Sequence, residues 1–278
     1  MKVLLMPNFH KPNSVSCTTQ AIKKLALLGA VPMLDQNSGN QITTRKELVL
    51  GALDELLEQC DVILSIGGDG TMLESVKHAV LVNKPVLGIN TGRVGFLTQF
   101  DGYEMDSLNL LMEGGYSIEE RMLLELLIQS PDGTRSFYAV NDIVITRDAY
   151  HMTELDIYNG DRHLVRYRGD GVIFATPTGS TAYSMSAGGS VVDPSLSVIL
   201  MTAICPFTPY NRSLVLPPDG IYTVRLEGMT QVEILADNMQ AGKIIPGQFV
   251  TVKKADAKAK FINLGLRDFY RSLREKLI

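Results

Sequence analysis

Short apolar runs and helix-spaced apolar positions alternate through the first hundred residues. Residues 3–6 (VLLM) form a strand pattern, and Val15, Ile22, Leu25, Ala26 and Leu28 share one helix face that Gly29 closes. A second short strand is expected at 31–34. Leu48, Leu53, Leu56 and Leu57 give helical spacing over 45–58. The unbroken apolar run 62–66 enters Gly67-Gly68-Asp69-Gly70 and a helix from near Thr71, and 85–89 makes a fourth strand. Strands alternating with helices predict an α/β domain with a parallel, Rossmann-like sheet and ligand loops at the carboxyl ends of its strands.

The pattern changes after about residue 116. Short strand-like runs follow at 122–129, 136–140, 154–158, 172–175, 197–201, 213–216, 222–226, 232–235 and 249–253. Pro131-Asp132-Gly133 and Asn159-Gly160 between them are hairpin signals. Many short strands predict a predominantly β second domain. Residues 267–278 have a helical pattern, and Leu266, Phe269, Leu273 and Leu277 make one apolar stripe. The expected division is 1–115, with 264–278 packing back on it, and 116–263.

A length of 278 residues suits two domains, and 45% apolar with 20% charged residues excludes a disordered or fibrous chain. The net charge of −4 and the lack of any Lys/Arg run argue against nucleic acid as a partner. A phosphorylated ligand would have to be held by backbone amides. Cys17, Cys60 and Cys205 are odd in number and far apart, so each is expected to be a buried structural thiol in a reduced compartment. No stretch approaches 18 apolar residues and the N-terminal apolar run is short for a signal peptide, so no membrane association and a cytoplasmic location are expected.

Five segments carry chemistry. In ILSIGGDGTMLESV (63–76) a buried strand meets Gly67, Gly68, Asp69, Gly70 and Thr71. Glycines let backbone N–H groups approach a phosphate, and a helix start adds partial positive charge. A carboxylate beside phosphates is repelled by them, so its presence there calls for a chemical reason. Asp69 suits accepting a proton from an attacking hydroxyl or holding a metal, with a helix cap as the plainer alternative. There is no GxxxxGK[ST], no GxGxxG after the first strand and no protein-kinase motif set. LGINTGRVGFL (87–97) follows the next strand and offers Asn90, Thr91 and an aromatic ring, Phe96. In AVNDIVITR (139–147), Asn141 and Asp142 suit either a clamp on a ribose diol or an Asx turn.

The densest segment is RYRGDGVIFATPTGSTAYSMSAGGSVVDP (166–194). Arg168 and Asp170 flank a glycine, and Thr176, Thr178, Ser180, Thr181, Ser184 and Ser186 then crowd a short span, with a helix expected from about Ser180. So many hydroxyls suit a polar, multi-ring ligand. No GxSxG elbow is present and the four histidines have no evident partners, which excludes a serine hydrolase. LADNMQ (235–240) reads as a turn in which Asn238 can be left-handed.

GGDGTML, NTGRVGFL, NDIVITR, RGDGVIFATPTGSTAYSMSAGG, AICPF with RSLVLP, and ADN occur in an order that resembles the NAD kinase family, over residues 62–247. The resemblance implies phosphoryl transfer from ATP, another nucleotide or polyphosphate to the 2′-hydroxyl of the adenosine ribose of NAD, giving NADP. It implies an α/β domain followed by a β-sandwich-like domain. Asp69 would be the catalytic base, and Gly67, Gly68, Gly70 and Thr71 the phosphate loop. Phe96 would line the adenosine pocket, and Asn141 and Asp142 would hold the nicotinamide-side ribose. Thr178, Thr181, Ala182, Tyr183 and Ser186 would surround the dinucleotide. Arg168 and Asp170 would complete the pocket, Asp170 from a neighbouring subunit of a homodimer or homotetramer. A divalent cation, Mg²⁺ by expectation, would travel on the nucleotide phosphates with no dedicated protein cage. The sequence departs from the family pattern at Asp142 (usually Glu), Asn238 (usually Gly) and Ser190 (usually Pro). A diacylglycerol-type lipid kinase shares GGDGT, and a non-catalytic dinucleotide sensor is a further alternative. The hydroxyl-rich span disfavours an apolar acceptor, and Asp69 disfavours a pure binder.

Overall fold

In the computed structural model the chain divides into two units, Met1–Glu120 with Ala259–Ile278, and Arg121–Lys258. The described residues are all but 44, 45, 93, 94, 131, 132, 149, 209, 210, 228, 229 and 278, and exclude the side chains of Ser130 and Leu277.

The first unit runs β1 (Lys2–Pro7), α1 (Ser14–Leu27), β2 (Val31–Asp35), α2 (Gln36–Gly39), β3 (Val49–Gly51), α3 (Leu53–Gln59), β4 (Val62–Gly67), α4 (Asp69–Leu81), β5 (Val86–Asn90), β6 (Phe100–Asp101) and α5 (Leu108–Met112). The strands pair in parallel in the order β6-β5-β4-β1-β2-β3. Every residue of β4 and β5 is buried, as expected for central strands of an α/β sheet covered on both faces. The order reverses between β1 and β4, the kind of switch point where open α/β sheets leave a crevice for ligands.

Two local expectations change here. The buried face of α1 is Ser14, Cys17, Thr18, Ala21, Ile22 and Leu25, while Val15 is exposed. The helical spacing over 45–58 is helical only in α3, because 49–51 pairs beside β2 as an edge strand. A short apolar run fits either period, and pairing partners decide between them. Arg45, where that spacing begins, lies outside the described residues.

The second unit contains most of β7 (Ser117–Ser130), then β8 (Gly133–Ala139), β9 (Asp142–Arg147), β10 (Thr153–Asn159), β11 (Arg162–Gly169) and β12 (Gly171–Ala175). A 3-10 turn (Thr178–Thr181) and the short α6 (Tyr183–Ser186) lead to β13 (Ile199–Ile204), β14 (Leu214–Leu216), β15 (Tyr222–Leu226), β16 (Val232–Ala236), β17 (Met239–Ile244) and β18 (Phe249–Asn263). One antiparallel sheet has the order β14-β13-β12-β9-β16-β17. Strands β11, β10, β15 and β18 make a second layer, extended by β7 and β8. Met122, Leu155, Val224 and Val250 of that layer share a core with Ile143, Val172, Phe174 and Ile234 of the first sheet. This is a sandwich core. Asn159-Gly160 joins β10 to β11, with Gly160 at φ 56°. Of the other hairpin signal, Pro131 and Asp132 lie outside the described residues.

Strand β18 is three times the length expected, and continues past the second unit. Its Phe261 pairs with Val86 of β5, and Ile262 and Leu264 enter the first unit's core. The chain then forms α7 (Phe269–Leu277). Leu266, Phe269 and Leu273 of the expected stripe are only partly buried, and Ser272 on the same face is buried. The three thiols are free; Cys17 and Cys60 are buried, but Cys205 is exposed because it occupies a left-handed turn (φ 44°) just past β13. Burial pushes the Cys17 thiol up to about 12, so it is unreactive. No helix among the described residues is long and apolar enough to cross a membrane.

Candidate functional site

In the first unit, β4 ends in Gly67 and α4 opens at Asp69. A Cβ on Gly67 would lie 2.2 Å from Thr71 Oγ1, so the turn admits no side chain there. A Cβ on Gly68 or Gly70 would meet open space. No side chain caps α4, a thirteen-residue helix, so its first N–H groups are available to an anion. The Thr71 and Thr91 hydroxyls are buried without a hydrogen-bond partner. A cavity of about 390 Å³ lies at the β1–β4 switch point, lined among others by Asn8, His10, Asp35, Gly70, Thr71 and Glu74.

Asp69 does not cap its own helix. Its Oδ2 accepts the Phe96 N–H at 2.9 Å and its Oδ1 the Leu97 N–H at 3.0 Å. Gly95 makes room for it: a Cβ there would stand 2.0 Å from Oδ1. The Asn90 amide is occupied, donating to Gly92 O and to Asp101 and accepting the Gly92 N–H. It shapes its loop, in which the Thr91 hydroxyl is buried without a hydrogen-bond partner. Phe96 is half-buried, with the Phe269 ring centroid 6.1 Å from its own. Arg93 and Val94 of this motif lie outside the described residues.

In the second unit, three segments distant in sequence are tied together. Asp237, left-handed at φ 48°, accepts the N–H groups of Val140 (2.8 Å), Asn141 (2.7 Å) and Asp142 (3.2 Å). Thr176 donates its hydroxyl to Val140 O and its N–H to Asn141 O. A Cβ on Gly179 would fall 2.0 Å from Asn141 O, so the 3-10 turn packs on the Asn141 backbone only through glycine. Asp142 is buried, and the Tyr183 N–H donates to it. Burial first, then the nearby Asp237 charge, pushes its carboxyl up to about 7 against the lowering effect of that N–H.

The hydroxyl run divides into inner and outer members. Thr176, Thr178, Ser180 and Ser184 are buried; Ser180 is bonded to both Val192 N and O, and Ser184 to Thr202. Thr181, Ala182, Tyr183 and Ser186 remain partly or fully exposed. Arg168 and Asp170 do not face each other: Arg168 pairs with Glu154 at 2.7 Å and Asp170 with Arg147 at 3.0 Å. In the β9–β12 pairing Asp142 lies opposite Ala175 and Thr146 opposite Gly171. Asp170 thus sits level with Arg147 at the far end of β9, about 16 Å along the strand from Asp142. Asp237 is absent from the site residues expected from the sequence; its signal is its place directly before a turn residue able to go left-handed. Lys276 is absent as well; its Nζ lies 3.3 Å from Asp69 Oδ2. Among the described residues no three His, Cys, Asp or Glu side chains converge on a metal position.

Two family models match the chain: the ATP-NAD kinase N-terminal domain at residues 10–116 and the ATP-NAD kinase C-terminal domain at 140–264. An NAD kinase from Caldanaerobacter subterraneus subsp. tengcongensis is 36% identical over 99% of this chain and 98% of its own length. An NAD kinase from Moorella thermoacetica is 39% identical over 85% of this chain and 78% of its own length. Yeast NADH kinase, solved in complex with NADH, superposes with a TM-score of 0.90 at 27% identity, covering all of this chain and 87% of that one. An NAD kinase from Archaeoglobus fulgidus, solved with ATP, gives a TM-score of 0.74 at 25% identity, covering 99% of this chain and 98% of that one.

Proposed function

Because the chain belongs to the NAD kinase family, we propose that it transfers the terminal phosphoryl group of ATP to the 2′-hydroxyl of the adenosine ribose of NAD, giving NADP. The observation that carries the reading is Asp69, a carboxylate held in place at the mouth of an uncapped glycine-rich helix start. A ribose hydroxyl is a weak nucleophile, and a fixed carboxylate that accepts its proton makes it a better one. The N–H groups at the start of α4 would hold donor phosphates, with the unpartnered Thr71 hydroxyl beside them. Asn141 and Asp142 would engage the second ribose, and Thr181, Ala182 and Tyr183 the rest of the dinucleotide.

A divalent cation would travel on the donor phosphates: among the described residues no three His, Cys, Asp or Glu side chains converge on a metal position of their own. Carried on the phosphates, the cation would neutralise their charge. As the family resemblance implies, Asp170, at the other end of β9 from Asp142, would reach the dinucleotide of a neighbouring copy in a homo-oligomer. Three unpaired thiols suit a reduced, cytoplasmic setting. The lipid-kinase and sensor readings are not favoured: both family models and the named relatives are NAD kinases.

The test is a purified-protein assay with Mg²⁺, NAD and either ATP or polyphosphate, with NADP as the readout. Asp69→Asn keeps the size and the hydrogen-bonding outline but removes the basic oxygen. Its kcat should fall about 10²–10⁴-fold while NAD binding, by calorimetry, persists. A variant as fast as the parent would remove Asp69 from the chemistry.

A further inference from the structure

Helix α7 carries a cation to the proposed base. Lys276 Nζ lies 3.3 Å from Asp69 Oδ2 and 4.4 Å from the centre of the Phe96 ring. The contact follows from how the helix is seated. At its start Arg267 pairs with Asp101, which also holds Asn90, and Asp268 accepts the Arg271 N–H at 2.7 Å. Phe269, Ser272 and Lys276 then fall at i, i+3 and i+7, on one face of a helix. Phe269 stacks near Phe96 and Ser272 is buried, so that face is the one turned to residues 95–97. Lys276 is thus placed by the fold. Its side chain is 30% exposed, and its flexible stem leaves the ammonium free to move by a few ångströms.

We propose that Lys276 is a catalytic residue of the phosphoryl transfer: it holds the Asp69 carboxylate in the absence of donor and meets the phosphoryl group during transfer. The proposal rests on Asp69 being the base. In the step, the bond from the ribose 2′-oxygen to the γ-phosphorus forms and the bond from that phosphorus to the β,γ-bridging oxygen breaks. The 2′-hydroxyl proton passes to Asp69, and ADP leaves with the electron pair of the broken bond. Lys276 gives up no proton. An ammonium within hydrogen-bond reach of the oxygen that receives the proton is also close to the phosphoryl oxygens, whose charge is spread most widely in flight. There it offsets the repulsion between the Asp69 carboxylate and the incoming phosphates. A cation that merely decorated the surface would leave the rate alone.

The experiment compares Lys276→Met, Lys276→Arg and the control Arg274→Met in the full-length protein, with Mg²⁺-ATP and NAD both saturating. Lys276→Met should lose about 10²-fold in kcat with KM for NAD nearly unchanged, the size of effect expected for removing a transition-state charge partner. Lys276→Arg should recover at least a tenth of the parental rate, and Arg274→Met should match the parent. Melting temperatures check the fold. If Lys276→Met is destabilised, the comparison falls on Lys276→Arg, which keeps the stem: an arginine variant no faster than the methionine one overturns the proposal. So does a Lys276→Met kcat within threefold of the parent, or a higher kcat/KM for NAD, which would make α7 an obstruction. In those cases an active parent leaves the NAD kinase reading standing. A parent inert toward NAD removes both.

Discussion

Asp142 is the residue where burial and reactivity conflict most. Its carboxyl is held up to about 7 by burial and by Asp237, against an unperturbed 3.8. A raised acid favours the protonated fold. The stabilisation tied to that proton is complete below the unfolded value, drains away as pH climbs from about 4 toward about 7, and is gone above it. Asp142→Asn preserves shape without titrating, so it should gain on the parent across that window, by on the order of a few kcal/mol at pH 8. Melting curves at pH 4.5, 6 and 8 measure this, and parallel curves would mean Asp142 is ionised at little cost. Gly95 makes a sharper case. An alanine Cβ would collide with Asp69 Oδ1 at 2.0 Å, so either the loop or the carboxylate must yield. Gly95→Ala should lower kcat at least about tenfold, since an ångström of misplacement at a reacting group costs that much or more; a kcat equal to the parent's would show that the loop gives way instead. At this scale the sequence showed Asp69, Asn141 and Asp142 as residues of interest, but not what holds them. Phe96 and Leu97 N–H groups and Asp237 do so across 27, 28 and up to 97 positions, and separations of that length leave no periodic trace. Nor could the order of hydroxyls from Thr176 to Ser186 reveal which would be spent on internal bonds.

Among the elements, α7 depends on its entry more than on its stripe. Arg267 and Asp101 are 9% and 14% exposed at the side chain, and their pair fixes where the helix leaves β18. Burial tends to raise the Asp101 carboxyl, but hydrogen bonds from Asn90 and Arg267 and the guanidinium charge outweigh it and hold it below the usual range. Removing Arg267 strands a mostly buried carboxylate. Arg267→Ala should therefore cost about 3 kcal/mol in urea unfolding, and Arg267→Ala with Asp101→Asn should recover part of it. A single-variant loss under about 1 kcal/mol would class the pair with ordinary surface ion pairs. The α/β alternation was legible because β4 and β5 are apolar on both faces and their helices are amphipathic. The second half of β18 was not. Lys253, Lys254, Lys258 and Lys260 give it a polar composition, and only its pairing keeps it extended. Likewise 49–51 could not be told from a helix until β2 supplied a partner.

For the molecule as a whole, the change of hydrophobic pattern near residue 116 made the two-part architecture legible, while the path of the chain between the parts had to be seen. That path has a consequence for synthesis. The second unit is one unbroken stretch, Arg121–Lys258, whereas the first needs residues 259–278 to finish its sheet and core. A ribosome adds about 5–20 residues per second, so the early half of the chain waits on the order of ten seconds for its last strand segment and helix. The usual order, in which the N-terminal portion matures first, should be inverted. Stalled nascent chains with residue 258 just outside the exit tunnel should resist brief proteolysis across 121–258 while the first 120 residues are still cut; protection appearing first in the leading segment would refute this. Asp69 and its proposed partner Lys276 would then be made 207 residues apart, so a chain stopped between them could fold its later sheets and still lack a finished reaction centre.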